Sequence, residues 1–486
     1  MLASMMLVAC NGGDGDATST PSGSDTGAGS GTVGDSADDG GTNGSTDDGV
    51  DSSTGGDSTG GDGTVGGSTG GDTAMSESSS DGGGTDSGGV DPTPILERDP
   101  EISHNCTESR EITELPGTSA SRAEGLFAVG DGYAIMLSGA ALELSEVGLD
   151  GTLGGTQVLE AQFSNYRRPL ATTADTGIAV VWTVPGVSEV LRFAVVGDDQ
   201  QFVVEPTDVP ETAGAHVIAS TLVPTGAGGF ALFYGVSDNG GNTDLHRLML
   251  NGSGNAIGNE VTIAAIGPTW GAAPASGVPT AGGGQALAYS AGGFEGNEVF
   301  FVALDDVGTP RFAPSRISRE ASDGWSSDFG GTSRRNVIAI GDDYWVTYSE
   351  GQRNNEGMED HATVALAVVD HEGDAEVHTL QAPVDGIEHR WPSFIKIDDR
   401  PALTWTSGTI IWICAGCISD HDLNFVVLDP DLLVPASDVV TQQTMSNGII
   451  APLLAMHGPD ILTAGSLDYH ASTLAATGGL QCTLSQ

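Results

Sequence analysis

Between residues 132 and 466 the chain repeats one short apolar pattern seven times. The copies are GYAIMLSG (132–139), GIAVVWTV (177–184), GFALFYGV (229–236), GQALAYSA (284–291), DYWVTYSE (343–350), RPALTWTS (400–407) and PDILTAGS (459–466). Their fourth residue is aliphatic every time: Ile135, Val180, Leu232, Leu287, Val346, Leu403 and Leu462. The sixth is Leu137, Trp182, Tyr234, Tyr289, Tyr348, Trp405 and Ala464, aromatic in the five middle copies. Successive copies start 45, 52, 55, 59, 57 and 59 residues apart. A period near fifty indicates a repeat architecture, in which each unit is a supersecondary element that buries its apolar faces only by stacking on its neighbours.

Within a unit the same order of runs recurs. A first apolar run reaches a Gly/Asp turn, as in GLFAVGDG (125–132) or SFIKIDD (393–399), and the aligned segment follows. A third run leads into a second tight turn, as in RLMLNGSGN (247–255), and a fourth closes the unit, as in EVTIAAI (260–266). Four short runs separated by turn residues read as one antiparallel four-stranded sheet, and no long 3.6-period segment argues for helix. This pattern resembles the seven-bladed β-propeller family over essentially all of residues 100–486. The expected fold is therefore all-β: seven four-stranded antiparallel blades over 99–486, closed into a ring that leaves only short edges. SREITELPG (109–117) reads as a fourth strand arriving before the first unit, and HASTLAATGGLQCTL (470–484) as the last third strand, so the final blade would join both ends of the domain. Cys106 and Cys482 flank these two latch strands and are expected to pair, leaving Cys414 with Cys417; both bonds suit an oxidising compartment.

The residues before this domain are of another kind. Residues 11–92 hold no aromatic, Lys or Arg and are almost wholly Gly, Ser, Thr and Asp. Such a composition cannot bury enough apolar surface to offset chain entropy, so 11–98 is expected to be a disordered tether, about 50 Å from end to end over its low-complexity part. MLASMMLVAC (1–10) resembles a bacterial lipobox, which implies lipidation at Cys10 and a truncated signal segment before it. By that resemblance the protein is anchored in the cell envelope by lipid alone, with Asn11 after the Cys pointing to the outer membrane.

The formal charge is −50, and residues 1–100 hold only 18 of the 66 acids. The folded part is thus itself strongly acidic, which argues against nucleic acid and anionic membrane surfaces as partners. Lys396 is the only lysine.

Candidate chemistry is sparse. CAGCISDHD (414–422) has a Cys-x-x-Cys and His421 but no second ligand pair at zinc-site spacing and no βαβ context for redox work, so a loop disulfide is expected. Both G-x-S-x-G matches fall in the tether, where no strand-turn-helix can present a strained serine. SDNGGNTD (237–244) departs from a sialidase-type Asp-box at Asn239 and Asp244; it offers Asp238, Asn242 and Asp244 to calcium, although a polar turn is the commoner use of such residues. No cofactor is implied, and no Ser/His/Asp or paired-carboxylate set can be assembled.

The long connections are more telling. In a four-stranded blade the second-to-third and blade-to-blade connections share one face of the disc, and here they are the long ones. That face collects Tyr166, Trp270, Trp325 and Trp391. Arg122, Arg167 and Arg390 each stand ten residues before their alignment anchor and Arg334 nine before its own, at the openings of the innermost strands. They could ring the mouth of the central channel as an anion site, or each could bridge to an acidic neighbour between blades. The aromatic column itself is expected to be inter-blade packing. The reading is a monomeric, non-enzymatic binding or scaffold module that offers its long-loop face to a glycan, peptide or protein. The alternatives are an envelope polysaccharide hydrolase or lyase on a propeller scaffold and a purely structural adhesin.

Overall fold

A computed structural model describes residues 93–485 other than 117–120, 164–168, 186–188, 215, 227, 238–241, 269–274, 294–295, 320–324, 329–334, 354–358, 385, 411–417, 444–448 and 468–473. Its strands form seven antiparallel sheets that follow one another along the chain. Blade 1 is built from Arg122–Val129, Gly132–Ser138, Leu142–Val147 and Leu153–Glu160, in that order from the inside outward. The other blades repeat this meander, and all seven aligned segments fall on second strands, from Gly132–Ser138 in blade 1 to Asp460–Leu467 in blade 7. The chain is a seven-bladed β-propeller.

Each second strand is covered on both sides by its own blade's neighbours, which is why it reads as a near-continuous apolar run rather than a strict alternation. Gly177–Val184 has six consecutive buried residues, Ile178 to Thr183. The aromatic column is buried throughout: Trp182, Tyr234, Tyr289, Tyr348 and Trp405. Each lies in the apolar cluster its blade shares with the preceding blade; Trp405 of blade 6, for example, packs with Trp345, Val364 and Leu366 of blade 5. The main clusters number seven, one for every junction, including that between blade 7 and blade 1. Stability therefore resides between blades, and truncating one such aromatic to alanine costs about 3–5 kcal/mol.

Closure is a latch. Blade 7 takes its first three strands from Ile449–His457, Asp460–Leu467 and Leu474–Leu484, and its outermost from His104–Glu114 near the start of the domain. Cys106 stands opposite Cys482 in that pairing, and the two form the expected disulfide. Residues 95–97, assigned to the tether on composition, form a 3-10 turn whose Ile95 is buried between blades 5 and 6. Ile95 and Leu96 begin the aliphatic content of the domain, and the Leu96 amide donates to the Leu380 carbonyl at 2.9 Å.

The two faces of the disc differ. In blades 1 to 5 the third-to-fourth connection is one recurrent five-residue turn. In Asp305–Thr309 the Asp305 amide donates to the Thr309 carbonyl (2.9 Å), and the Gly308 amide donates back to the Asp305 carbonyl (3.1 Å). Asp305 Oδ1 accepts from the Val307 and Thr309 amides at 3.1 and 2.7 Å. Asn251 and Asp370 cap their turns in the same way. The fourth position is left-handed, and in blade 3 it also faces the preceding blade: Gly254 has φ +80°, and a Cβ there would stand 2.4 Å from the Phe193 ring.

On the other face blade 5 departs from the pattern. Its innermost strand comes in two pieces, Trp325–Asp328 and Val337–Ile340, both paired with Asp343–Arg353. Part of a stretch that reads as pure connection is thus strand. No helix among the described residues is long and apolar enough to cross a membrane.

Candidate functional site

The chemistry of the long-loop face is densest where blade 6 meets blade 5. The first strand of blade 6, Ile387–Ile397, pairs regularly with Arg400–Ile410 except for a bulge between Arg390 and Ser393. Within the bulge Trp391 takes φ +55°, the left-handed region that a bulky L-residue rarely enters. Surrounding bonds hold it there. The Trp391 amide donates to Ser349 Oγ of blade 5 at 3.0 Å, and its ring meets the edge of His421 at a centroid distance of 6.1 Å. The ring is half-buried, so part of it stays open. Non-glycine residues held at positive φ cost about 1–3 kcal/mol and concentrate at ligand sites.

Buried polar groups frame this tryptophan. Arg390 and Glu388, two residues apart on one strand face, form an ion pair and are 8% and 1% exposed. His389, on the opposite face, shares a hydrogen bond with Ser407 Oγ at 3.0 Å through Nδ1. Ser407 also accepts from Asn424 Nδ2, and Asn424 Oδ1 accepts from the Thr441 hydroxyl at 2.9 Å. The other ring nitrogen of His389, Nε2, takes no part in this chain of bonds. That nitrogen is buried and has no hydrogen-bond partner among the described residues. Burial pushes the His389 imidazole down to about 4, so it is neutral at physiological pH.

Toward blade 4 lies a second buried carboxyl. Glu350 accepts from the Arg319 amide at 3.0 Å and the Ser327 hydroxyl at 3.4 Å, with the Arg319 guanidinium at 3.4 Å. Burial raises its proton affinity, and the Arg319 contacts oppose that rise. Polar ties also join other blades here: Thr183 Oγ1 donates to the Val217 carbonyl at 3.2 Å, and the Val217 amide donates to Glu189 at 3.0 Å.

The residues singled out in the sequence are distributed as follows. Trp391 and Arg390 sit together in this frame. Arg122 opens the first strand of blade 1, half-buried. Trp325 begins the outer piece of the broken strand in blade 5. Asn242 and Asp244 lie exposed on the third strand of blade 3, Asn242 paired with the fourth strand and Asp244 with both neighbouring strands. Cys10, Tyr166, Arg167, Asp238, Trp270, Arg334, Cys414 and Cys417 lie outside the described residues. Of the two readings of the arginines, an acidic bridge describes Arg390, although Glu388 belongs to its own strand rather than to a neighbouring blade.

Sequence reading missed Ser349 and Thr183, which clip neighbouring blades together. The signal was present: the position after the aromatic column is Ser138, Thr183, Gly235, Ser290, Ser349, Thr406 and Gly465, a hydroxyl in five copies of seven.

No family model matches the chain, and no curated protein is similar to it. Solved structures do share the outline. An ulvan lyase of a new polysaccharide lyase family is 9% identical over 76% of this chain and 94% of its own, with a TM-score of 0.49. The polysaccharide lyase Uly1 is 8% identical over 74% and 89%, at 0.43. An α-L-arabinanase of Penicillium chrysogenum complexed with arabinobiose is 12% identical over 64% and 92%, at 0.41. These likenesses concern the fold alone.

Proposed function

We propose that this chain is a binding module of the cell envelope, tethered by lipid at Cys10 and using the long-loop face of its propeller to hold a glycan. The observation that carries the reading is Trp391. A half-open indole held in a strained backbone conformation by Ser349 and His421 is a fixed apolar platform, and a sugar ring is a ligand that stacks on such a face. Its buried surroundings, Glu388–Arg390 and His389–Ser407, supply the rigidity that binding without reorganisation requires.

Binding is favoured over hydrolysis or elimination by accessibility. The two groups of this face best tuned for proton transfer, Glu350 and His389, are only 2% and 5% exposed. A general acid or base must come within hydrogen-bond reach of its substrate.

The test uses the full chain and neutral hexasaccharides of glucan, xylan and chitin type, followed by tryptophan fluorescence and by release of shorter products. The expected result is saturable quenching by one class, weakened at least about tenfold in Trp391→Ala, with no products. Quenching that survives in Trp391→Ala removes the reading, and product formation replaces it with catalysis.

A further inference from the structure

The axis of the ring is hollow, and its lining is at odds with the charge of the chain. A cavity of about 370 Å³ is walled by the first strands of all seven blades. Although the chain has 66 acidic residues, no Asp or Glu is among the described residues that line it. The lining does include two cations, Arg335 and Lys396, together with hydroxyls such as Thr172 and Thr221.

The two cations differ in their commitments. Lys396 is one residue from the end of its strand, at the tight-turn mouth, and already bridges Asp399 at 2.8 Å. Arg335 is two residues before the strand Val337–Ile340, toward the long-loop mouth. Its carbonyl accepts from the Phe394 amide at 2.7 Å, which fixes the backbone against blade 6. Its guanidinium is open to the cavity and has no hydrogen bond or ion pair among the described residues. The surrounding walls desolvate it and lower its proton affinity, yet an arginine stays charged in any such setting. A permanent cation that opens into a cavity and has no partner among the described residues is available to an anionic counter-group. Next to it, Asn336 is locked by Nδ2 donating to the carbonyls of Thr347 (3.0 Å) and Pro392 (2.9 Å), while its amide donates to Ser276 (3.0 Å). The guanidinium therefore projects from a braced backbone.

We propose that the long-loop end of the central channel is an oxyanion site, in which Arg335 holds a carboxylate or sulfate group by its planar pair of N–H donors and channel hydroxyls complete the coordination. The fork of the guanidinium matches either oxyanion in two-point geometry, and the described lining offers no carboxylate to compete, unlike the rest of this acidic molecule. The site stands on observations separate from Trp391 and does not depend on glycan binding there.

The experiment is calorimetric titration of the full chain at constant ionic strength with sodium sulfate, sodium D-glucuronate and, as the neutral comparison, D-glucose. Saturable heat with sulfate or glucuronate and none with glucose is expected. Response to sulfate alone identifies a free inorganic ion as the ligand; response to both identifies the oxyanion group whatever carries it. Arg335→Gln is expected to weaken the interaction at least about tenfold, whereas Arg316→Gln, removing an outer-strand arginine paired with Glu298, leaves it unchanged. Should Arg335→Gln melt early, Arg335→Lys keeps the charge and is expected to recover part of the heat, and Thr172→Val tests the hydroxyl contribution on an intact strand. Equal binding by wild type and a folded Arg335→Gln, or no saturable heat with either anion up to about 50 mM, overturns the proposal.

Discussion

The tight-turn face and the long-loop face are built from the same strands, yet they solve different problems. On the first, one five-residue turn recurs, with a side-chain oxygen of Asp305, Asn251 or Asp370 collecting backbone amides and a left-handed residue at its fourth position. On the second, the described positions change from blade to blade: a broken first strand in blade 5, a bulged tryptophan in blade 6, a carboxylate capping the Val217 amide from blade 2. Uniformity marks the face on which only closure is at stake. Variety marks the face on which the longer connections differ from blade to blade, where binding residues are more often carried than on a uniform face.

That division can be broken by experiment. The largest effect is expected from Gly254→Val, which forces a branched side chain into a positive φ and against Phe193. It should lower the free energy of unfolding by about 4 kcal/mol in denaturant titrations, while saccharide quenching at a temperature where the variant is folded stays at the wild-type level. Loss of binding with normal stability would show that the tight-turn face is functional after all.

Next in size is an acid dependence seated on the long-loop face. His389 is neutral in the fold down to about pH 4, while in the unfolded chain it takes up a proton near 6.5. Its contribution is therefore complete above pH 6.5 and is lost as the pH falls from there toward 4, in total about 3 kcal/mol. Buried His104, lowered mainly by desolvation, acts in the same direction. Melting temperatures measured between pH 7 and 4 should fall, and His389→Asn should flatten most of the fall. A variant with an unchanged profile would remove His389 from the buried network.

The smallest effect is the sharpest. Glycine normally destabilises a strand relative to alanine, but at φ +55° the order reverses, so Trp391→Gly should be more stable than Trp391→Ala by about 1 kcal/mol. Equal or opposite stabilities would mean that the bulge relaxes once the indole is gone.

The fold was legible because the repeat survives in its most constrained column. Second strands are enclosed on both sides, so Val180, Leu232 and Leu403 cannot vary far without opening a junction. The latch was legible for a similar reason: Cys106 and Cys482 sit at the ends of the chain segments that close the ring. Outer strands face solvent on one side and carry less pattern, and that of blade 4 has shrunk to Ser315–Arg316. The cations of the channel were harder. Counting back from the second strand assumes an unbroken hairpin, but blade 5 interrupts its inner strand and blade 6 inserts a bulge. One residue of slippage turns a side chain to the opposite face, so counting back could not single out Arg335.

The latch also imposes an order in time. His104 leaves the ribosome long before its partners, and the disulfide spans 376 positions of sequence. Until the stretch around Cys482 has been made, the earlier blades are an open stack with exposed terminal faces, and the seventh junction cannot form. A chain interrupted anywhere before its last strand is therefore left unsealed, with the apolar surface of its terminal blades exposed to aggregation.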